Sequence, residues 1–254
     1  MQLFFRKIGE GPPLIVLHGL FGSGMNWSTL AKKFGAFYEV YLVDQRNHGK
    51  SGHHEVFNYK VMADDLAEFF EENNIDKASV LGHSMGAKTA ITFALNYPGK
   101  VDKLIAVDMG IKAYPVHDEA IQTGLLSLDF DAIQSREEAD KALEPFIPDL
   151  GTRKFIMQNL HWTADKKLGW RMNVRGILDS IEEIGIPIEL DHPYQGEALF
   201  IKAEYSDYIE AADHSEILES FPNAVIDEIS NAGHWVHADR PEEFGEAVLR
   251  FLRN

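Results

Sequence analysis

Hydrophobic residues in the first 110 positions form short continuous runs, and amphipathic segments separate these runs. Runs of this length joined by helices are typical of a parallel sheet that is covered on both faces. The runs that we predict as buried strands are 14–17, 40–43, 78–81 and 104–107. The segments with helical spacing are 27–34, 59–73 and 87–96.

The pattern changes after Gly110. From there to about residue 193 we find helical spacing and no convincing strand, with helices predicted at 119–128, 136–146, 151–160 and 173–184. Alternation resumes with strands at 198–201 and 224–226 and helices at 215–220 and 241–252. We therefore predict an α/β core domain of residues 1–110 and 194–254. Residues 111–193 are predicted to form a helical cap over the carboxyl edge of the sheet, where ligands bind such folds.

A serine motif follows the third predicted strand. The sequence Gly82-His83-Ser84-Met85-Gly86 has the form Gly-x-Ser-x-Gly and lies between a strand and a helix. This is the context of a nucleophile elbow, in which the serine occupies a strained turn. The motif alone is common, but its position favours Ser84 as a nucleophile.

A serine hydroxyl needs a base and an acid beside it. His234 follows the last predicted strand and precedes the last helix, so it is our candidate base, and His237 is expected to support it by packing. Asp108 ends the strand after the serine strand, whereas Asp207 follows the strand at 198–201. Position alone leaves Asp108 and Asp207 open, and Asp213 is a weaker third choice.

Catalysis also needs hydrogen-bond donors for an oxyanion. Met85 offers a backbone N–H at the start of a helix, and the loop after the first predicted strand offers that of Leu20 or, as an alternative, Phe21. Aromatic and histidine side chains are candidates for the substrate pocket, although those of the cap could equally form its own small core. These candidates are Phe21, His83, His161, Trp162, Tyr208 and Trp235.

Charge and composition narrow the function classes. The chain has 24 Lys and Arg against 40 Asp and Glu, for a net charge of −16. Such a field repels nucleic acids and anionic membranes, so we expect a small neutral or apolar ligand. The absence of cysteine excludes thiol catalysis and disulfides. With no signal peptide and no apolar run of about 20 residues, we expect a cytoplasmic protein; the sequence does not indicate an oligomeric state.

Metal and nucleotide motifs are weak or missing. His48, His53, His54 and Glu55 lie close together in sequence, but we interpret residues 45–52 as a turn-rich surface connection and predict no metal. Glycine-rich nucleotide-binding motifs do not occur, so no cofactor is expected.

Four strings occur in one order along nearly the whole chain. They are 18–23 (HGLFGS), 44–51 (DQRNHGKS), 82–86 (GHSMG) and 232–238 (AGHWVHA). Together they resemble the α/β-hydrolase superfamily and, more narrowly, the small YbfF-type esterases. The resemblance implies a mostly parallel eight-stranded sheet flanked by helices, a helical cap, no cofactor, and Ser84 and His234 as nucleophile and base. It places Ser206 at the usual acid position with Asp207 one residue out of register, which favours Asp108 and keeps Asp207 as runner-up.

We therefore predict a serine hydrolase that cleaves carboxylic esters of small to medium acyl groups through an acyl-enzyme on Ser84. Acyl thioesters remain open as substrates, because the cap cations Lys112, Arg153, Lys154, Lys166 and Lys167 could offset the net acidity locally. One alternative is a carbon–carbon bond hydrolase or lyase, or a perhydrolase, on the same triad. Another is a binding protein that retains the triad without turnover.

Overall fold

A computed structural model describes residues 1–115 and 119–254. Within them the main sheet has seven strands in the order β1-β3-β2-β4-β5-β8-β9, parallel except for β1, which runs antiparallel to β3. The strands are β1 Phe5–Ile8, β2 Pro13–Leu17, β3 Glu39–Val43, β4 Ala78–His83, β5 Val101–Val107, β8 Glu197–Ala203 and β9 Ala224–Ile229. The predicted fold class is confirmed, and all six predicted strand runs lie in strands.

The number of strands differs from the eight that the resemblance implied. The twelve residues before β2 form one strand, β1, and the turn after it contains Gly9 and Gly11, both with positive φ. Edge strand β1 was not predicted because its residues are only half-buried or exposed and show no apolar run.

Helices cover both faces of the sheet. Along β2, Ile15 and Leu17 belong to one hydrophobic cluster, and Leu14 and Val16 belong to another, as the alternation of a strand requires. The core helices are α1 Ser28–Phe34, α2 Tyr59–Glu72, α3 Met85–Asn96, α9 His214–Ser220, α10 Val236–Asp239 and α11 Pro241–Arg253. Within the described ranges, no helix has the length and apolar character to cross a membrane.

Residues 111–193, called the cap segment below, connect β5 to β8. Residues 116–118 of this range lie outside the described residues. The helices are α4 Glu119–Ser127, α5 Arg136–Leu143, α6 Leu150–Met157, α7 Val174–Leu178 and α8 Ile181–Gly185. A third hydrophobic cluster joins this segment to core residues Phe57, Met62 and Met85.

Two expectations for the cap segment were wrong. A two-stranded antiparallel hairpin is present, with β6 at Leu160–Trp162 and β7 at Leu168–Trp170. Its three-residue strands are too short to give a strand pattern in the sequence. The predicted helix at 173–184 is two helices, because the chain leaves helical geometry at Ser180, where φ is −117° and ψ is 18°.

The interpretation of residues 45–52 as a surface connection was also wrong. Arg46, Asn47 and His48 are buried. Arg46 makes two hydrogen bonds to the carboxylate of Asp65, at 2.6 and 2.8 Å, and Asn47 exchanges two with the backbone of His54. Because these polar groups of Arg46 and Asn47 have partners, the two side chains can be buried at low cost.

Candidate active site

Ser84 lies on the sharp turn between β4 and α3. Its backbone has φ 54° and ψ −122°, a conformation that is strained for a residue with a side chain. A Cβ on Gly82 would lie 2.0 Å from the Gly86 carbonyl oxygen, and a Cβ on Gly86 would lie 2.5 Å from that of Leu17. Only glycine fits at either position, so the two glycines permit the close passage of strand and helix that supports the turn.

His234 and Asp108 come together across the sheet edge. Nδ1 of His234 lies 2.8 Å from Oδ2 of the fully buried Asp108. The backbone N–H of Ala203 donates to Oδ1 of Asp108 at 3.1 Å, and the hydroxyl of Ser206 donates to Oδ2 at 2.5 Å. Asp207 is exposed to solvent. Of the two candidate acids, Asp108 is therefore the one that contacts the histidine.

The imidazole of His234 is held in one orientation. Its ring stacks on that of Tyr208, with centroids 4.1 Å apart and planes 18° from parallel. Because Nδ1 faces Asp108, Nε2 is left for the cavity that His234 and Ser84 both line. Among the described residues no hydrogen bond joins the Ser84 hydroxyl to His234. Such catalytic bonds often tighten only when substrate binds.

The loop after β2 presents the candidate oxyanion donors. The N–H of Phe21 donates to Nε2 of His48 at 3.1 Å, so this donor is already used inside the protein. Leu20 lines the cavity beside Ser84 and Met85. Met85 is the first residue of α3, where helix geometry leaves a backbone N–H without an internal partner. The geometry thus favours Leu20 over Phe21 as the loop donor.

Two buried histidines support this loop, and the sequence analysis missed their role. Nδ1 of His18 contacts the Gly19 carbonyl at 2.8 Å and Nε2 accepts the N–H of Gln45 at 3.0 Å. His48 has the same arrangement, with the Arg46 carbonyl at Nδ1. Burial lowers the pKa of His18 to about 4 and that of His48 to about 3. Both rings therefore stay neutral with the proton on Nδ1, which leaves Nε2 as an acceptor.

A second pair of histidines lies behind His234. Nε2 of His83 contacts the carbonyl oxygen of His234 at 2.8 Å, and burial holds the pKa of His83 well below its ordinary value. His237 stacks on Trp27 at 4.2 Å, and burial lowers its pKa to about 3. Packing against Trp27 agrees with the supporting role expected for His237.

The cavity that contains Ser84 and His234 has a volume of about 230 Å³ and is called the catalytic cavity below. Four of the six predicted pocket residues line it: Phe21, His83, Tyr208 and Trp235. The other two, His161 and Trp162, lie in the cap hairpin and do not line it, and the Trp162 side chain is 55% exposed. The cap segment instead contributes residues that sequence reasoning did not select, among them Tyr114, Ile121, Phe155, Ile156 and Ile184.

Within residues 1–115 and 119–254, there is no group of three or more histidine, aspartate or glutamate side chains that could hold a metal ion. His53 and His54 are exposed, whereas His48 is buried and both of its ring nitrogens contact the protein backbone.

Comparisons with known proteins agree with this arrangement. Residues 12–155 match the α/β hydrolase fold family. The solved structure of a marine microorganism esterase has a TM-score of 0.96 and 40% identity, covering 98% of this chain and 99% of that one.

Two curated relatives have similar identity. The sn-1-specific diacylglycerol lipase ABHD11 of Danio rerio is 35% identical over 98% of this chain and 81% of its own length. Esterase YbfF of Escherichia coli is 34% identical over 95% of this chain and 93% of its own length. Fold, family match and relatives together show that the chain belongs to the α/β-hydrolase family and is a hydrolase of the carboxylesterase type.

Proposed function

We propose that the protein is a serine esterase that cleaves carboxylic esters of small to medium acyl groups. The observation that carries the proposal is the contact of the His234 ring with buried Asp108 at the rim of a cavity that also contains Ser84. The strained turn at Ser84 presents the hydroxyl to this cavity.

In the proposed mechanism, Oγ of Ser84 attacks the ester carbonyl while Nε2 of His234 takes the hydroxyl proton. Asp108 stabilises the imidazolium that forms, and the N–H groups of Leu20 and Met85 stabilise the oxyanion. When the tetrahedral intermediate collapses, the proton passes to the leaving alcohol. Water, deprotonated by His234, then attacks the acyl-enzyme and releases the carboxylic acid together with free Ser84.

The wall of the catalytic cavity supports an uncharged acyl group. Those of its lining residues that the structure describes are mainly aliphatic and aromatic, and none of them is Lys, Arg, Asp or Glu. A volume of about 230 Å³ lies below the range of about 300–1,000 Å³ usual for drug-sized ligands. We therefore propose short and medium acyl chains as substrates, in oxygen esters first and in thioesters as a second class to be measured.

The relatives suggest which natural esters to include. Since several are named sn-1-specific diacylglycerol lipases, diacylglycerols belong in the substrate panel beside p-nitrophenyl esters and acyl thioesters. We also retain, as proposals, a cytoplasmic location and the division into a core domain of residues 1–110 and 194–254 and a cap domain of residues 111–193.

The test is hydrolysis of p-nitrophenyl esters from acetate to dodecanoate by the wild type and by Ser84→Ala. We expect Ser84→Ala to lose at least about 10³-fold in kcat and to resist labelling by a fluorophosphonate. Ser127→Ala removes an exposed hydroxyl at the end of α4, outside the cavity lining, and serves as a folded control for loss of a serine. Wild-type turnover by Ser84→Ala would overturn the mechanism. Labelling of the wild type without turnover on any ester would instead support the binding-protein alternative.

A further inference from the structure

A second cavity lies between the core and the cap segment. Its volume is about 320 Å³, and its walls come from β1, the loops after β2 and β3, and the cap segment near α5 and the hairpin. Four cationic residues line it: Arg6, Lys50, Arg136 and Arg171. We call this cavity the basic cleft.

The cleft concentrates positive charge in an acidic protein. The chain as a whole carries a net charge of −16, but within residues 1–115 and 119–254 Asp44 is the one carboxylate that lines the cleft. Oδ1 of Asp44 accepts the N–H of Gly24 at 2.8 Å, and Oδ2 accepts the N–H of Lys50 at 2.9 Å. Among the described residues, no ion pair joins Asp44 to any of the four cations, and its two oxygens accept these backbone hydrogen bonds instead.

None of the four cations pairs with a carboxylate within the described part of the chain. Arg136 donates to the carbonyl oxygens of Met157 and Leu160, at 3.0 and 2.7 Å, and Nζ of Lys50 lies 4.8 Å from the ring centre of Phe4. Two cations are thus held in place by neutral groups. Like charges that share a cleft repel each other, and an anion bound among them relieves the repulsion.

The cap cations considered from the sequence have partners or lie elsewhere. Lys112 pairs with Asp213, Arg153 with Asp140 and Lys167 with Asp131. These pairs neutralise three of the five cap cations that could have attracted a polyanion. Lys154 and Lys166 do not line the basic cleft, and the four cations that do line it were not identified from the sequence.

The basic cleft and the catalytic cavity share one wall. Phe155 and Ile156 line the catalytic cavity, and Gln158 and Asn159, two to four residues further along, line the cleft. Nδ2 of Asn159 donates to the carbonyl oxygen of Phe21 at 2.6 Å, and so links the cleft to the loop that carries Leu20. A ligand in the cleft would lie against the loop that borders the active site.

We propose that the basic cleft binds a phosphate or pyrophosphate group, held by the guanidinium groups of Arg6, Arg136 and Arg171 and by Lys50. Guanidinium groups bind phosphate oxygens through paired hydrogen bonds, and three in one cleft favour a multiply charged anion over a carboxylate. The phosphate belongs either to a free anion or to the alcohol part of an ester whose acyl group occupies the catalytic cavity. The second source rests on the proposed esterase function, but binding in the cleft does not.

The test is calorimetric titration of the intact protein with pyrophosphate and with inorganic phosphate, at ionic strength fixed by sodium chloride. We expect saturable binding to the wild type and to Ser84→Ala, and binding weakened roughly ten-fold in Arg171→Gln and in Lys50→Gln. Arg175→Gln is the matched control, since Arg175 is an exposed cation of α7 outside the cleft. Thermal unfolding of each variant checks that it is folded.

A second measurement separates the two sources. Initial rates of the wild type and of Arg171→Gln are measured with an acylglycerol phosphate and with the same ester without phosphate. If Arg171→Gln has a higher KM than the wild type for the phosphate ester but not for the ester without phosphate, the cleft is supported and the phosphate is assigned to the substrate. If the wild type and Arg171→Gln have equal KM values for the phosphate ester while Arg171→Gln binds pyrophosphate more weakly, the cleft is supported and the phosphate is assigned to a free anion.

Two results would overturn the proposal. One is no saturable binding of phosphate or pyrophosphate to the wild type. The other is equal weakening in Arg175→Gln, which would mean that the anion responds to net charge alone. Neither result depends on turnover, so the binding measurements test the cleft proposal even if the esterase assay fails.

Discussion

The core and the cap segment differ in what they contribute to the catalytic cavity. The core supplies all the polar groups proposed for chemistry, namely Ser84, His234, Asp108 and the N–H groups of Leu20 and Met85. The cap segment supplies mainly apolar lining, such as Phe155 and Ile184. Rigid strands position reacting groups well, whereas short helices joined by loops can vary the shape of a pocket without moving the chemistry.

The largest expected effect tests whether the chemistry resides in the core. Asp108→Asn removes the charge beside Nδ1 of His234, so we expect kcat for p-nitrophenyl butyrate to fall about 10³–10⁴-fold. Asp207→Asn changes an exposed carboxylate one residue from Ser206 and is the matched control, with kcat expected to stay near the wild-type value. A crippled Asp207→Asn beside an active Asp108→Asn would reverse the assignment of the acid.

The next prediction concerns the stability of the core at acid pH. His18, His48, His83 and His237 belong to the core, and burial lowers the pKa of each. Below pH 6.5 the unfolded chain binds protons at these residues and the folded chain does not, so stability falls as pH falls towards 4. Between pH 7.5 and pH 5 we expect the free energy of unfolding, measured by urea denaturation, to fall by roughly 2 kcal/mol for each of His18, His48 and His237.

His237→Phe isolates one histidine in this titration. Phenylalanine can keep the stacking on Trp27 without a group that titrates. Between pH 7.5 and 5 we expect the free energy of unfolding of His237→Phe to fall by roughly 2 kcal/mol less than that of the wild type, because one titrating histidine is missing. Exposed His53→Gln is the control. A wild-type urea midpoint that does not change with pH would contradict both expectations.

A third effect tests how the core holds the cap segment. The buried Nζ of Lys88 donates to the carbonyl oxygens of Lys112, at 2.9 Å, and Ile186, which lie near the two ends of that segment. It also lies 4.9 Å from the ring centre of Tyr114. Lys88 has no carboxylate partner in the residues that the structure describes, and burial lowers its pKa to about 8.

Between pH 8 and 10.5 the unfolded chain keeps the Lys88 proton and the folded chain loses it, so this lysine makes stability rise with pH in that range. We expect the stability of the wild type relative to Lys88→Met to increase by on the order of 3 kcal/mol from pH 7.5 to 10.5. Urea denaturation of both proteins measures the difference, which cancels the titration of other groups. A constant difference across this range would show that burial does not lower the pKa of Lys88.

The smallest effect concerns the shape that the cap segment gives to the cavity. Phe155 lines the cavity and packs on Trp235, with ring centres 4.2 Å apart. Phe155→Ala enlarges the acyl site, so we expect kcat/KM for p-nitrophenyl octanoate relative to acetate to rise roughly ten-fold. Trp162→Ala is the cap control because its exposed side chain lies outside the cavity, and its ratio is expected to stay constant. A changed ratio in Trp162→Ala alone would place the acyl site in the hairpin.

Sequence reasoning succeeded where the signal was local. Six core strands, the core helices other than α10, and the turn at Ser84 were predicted because buried parallel strands show continuous apolar runs and because the elbow needs glycine at positions 82 and 86. It failed for the cap hairpin, whose strands have three residues each, and for the loop at 45–52. A polar loop resembles a surface loop until its partners, such as Asp65 for Arg46, are known.

The sequence by itself determined the order of strands and helices in the core and the candidate nucleophile and base, since each depends on neighbours within a few positions. Only the tertiary structure brought Asp108 to His234, which is 126 residues away, and Asn159 to Phe21, which is 138 residues away. It also decided which cap side chains line the catalytic cavity and that four unpaired cations meet in the basic cleft. These contacts join residues that are far apart in the sequence. They depend on how the core packs and where it places each loop, which the pattern along the chain does not show.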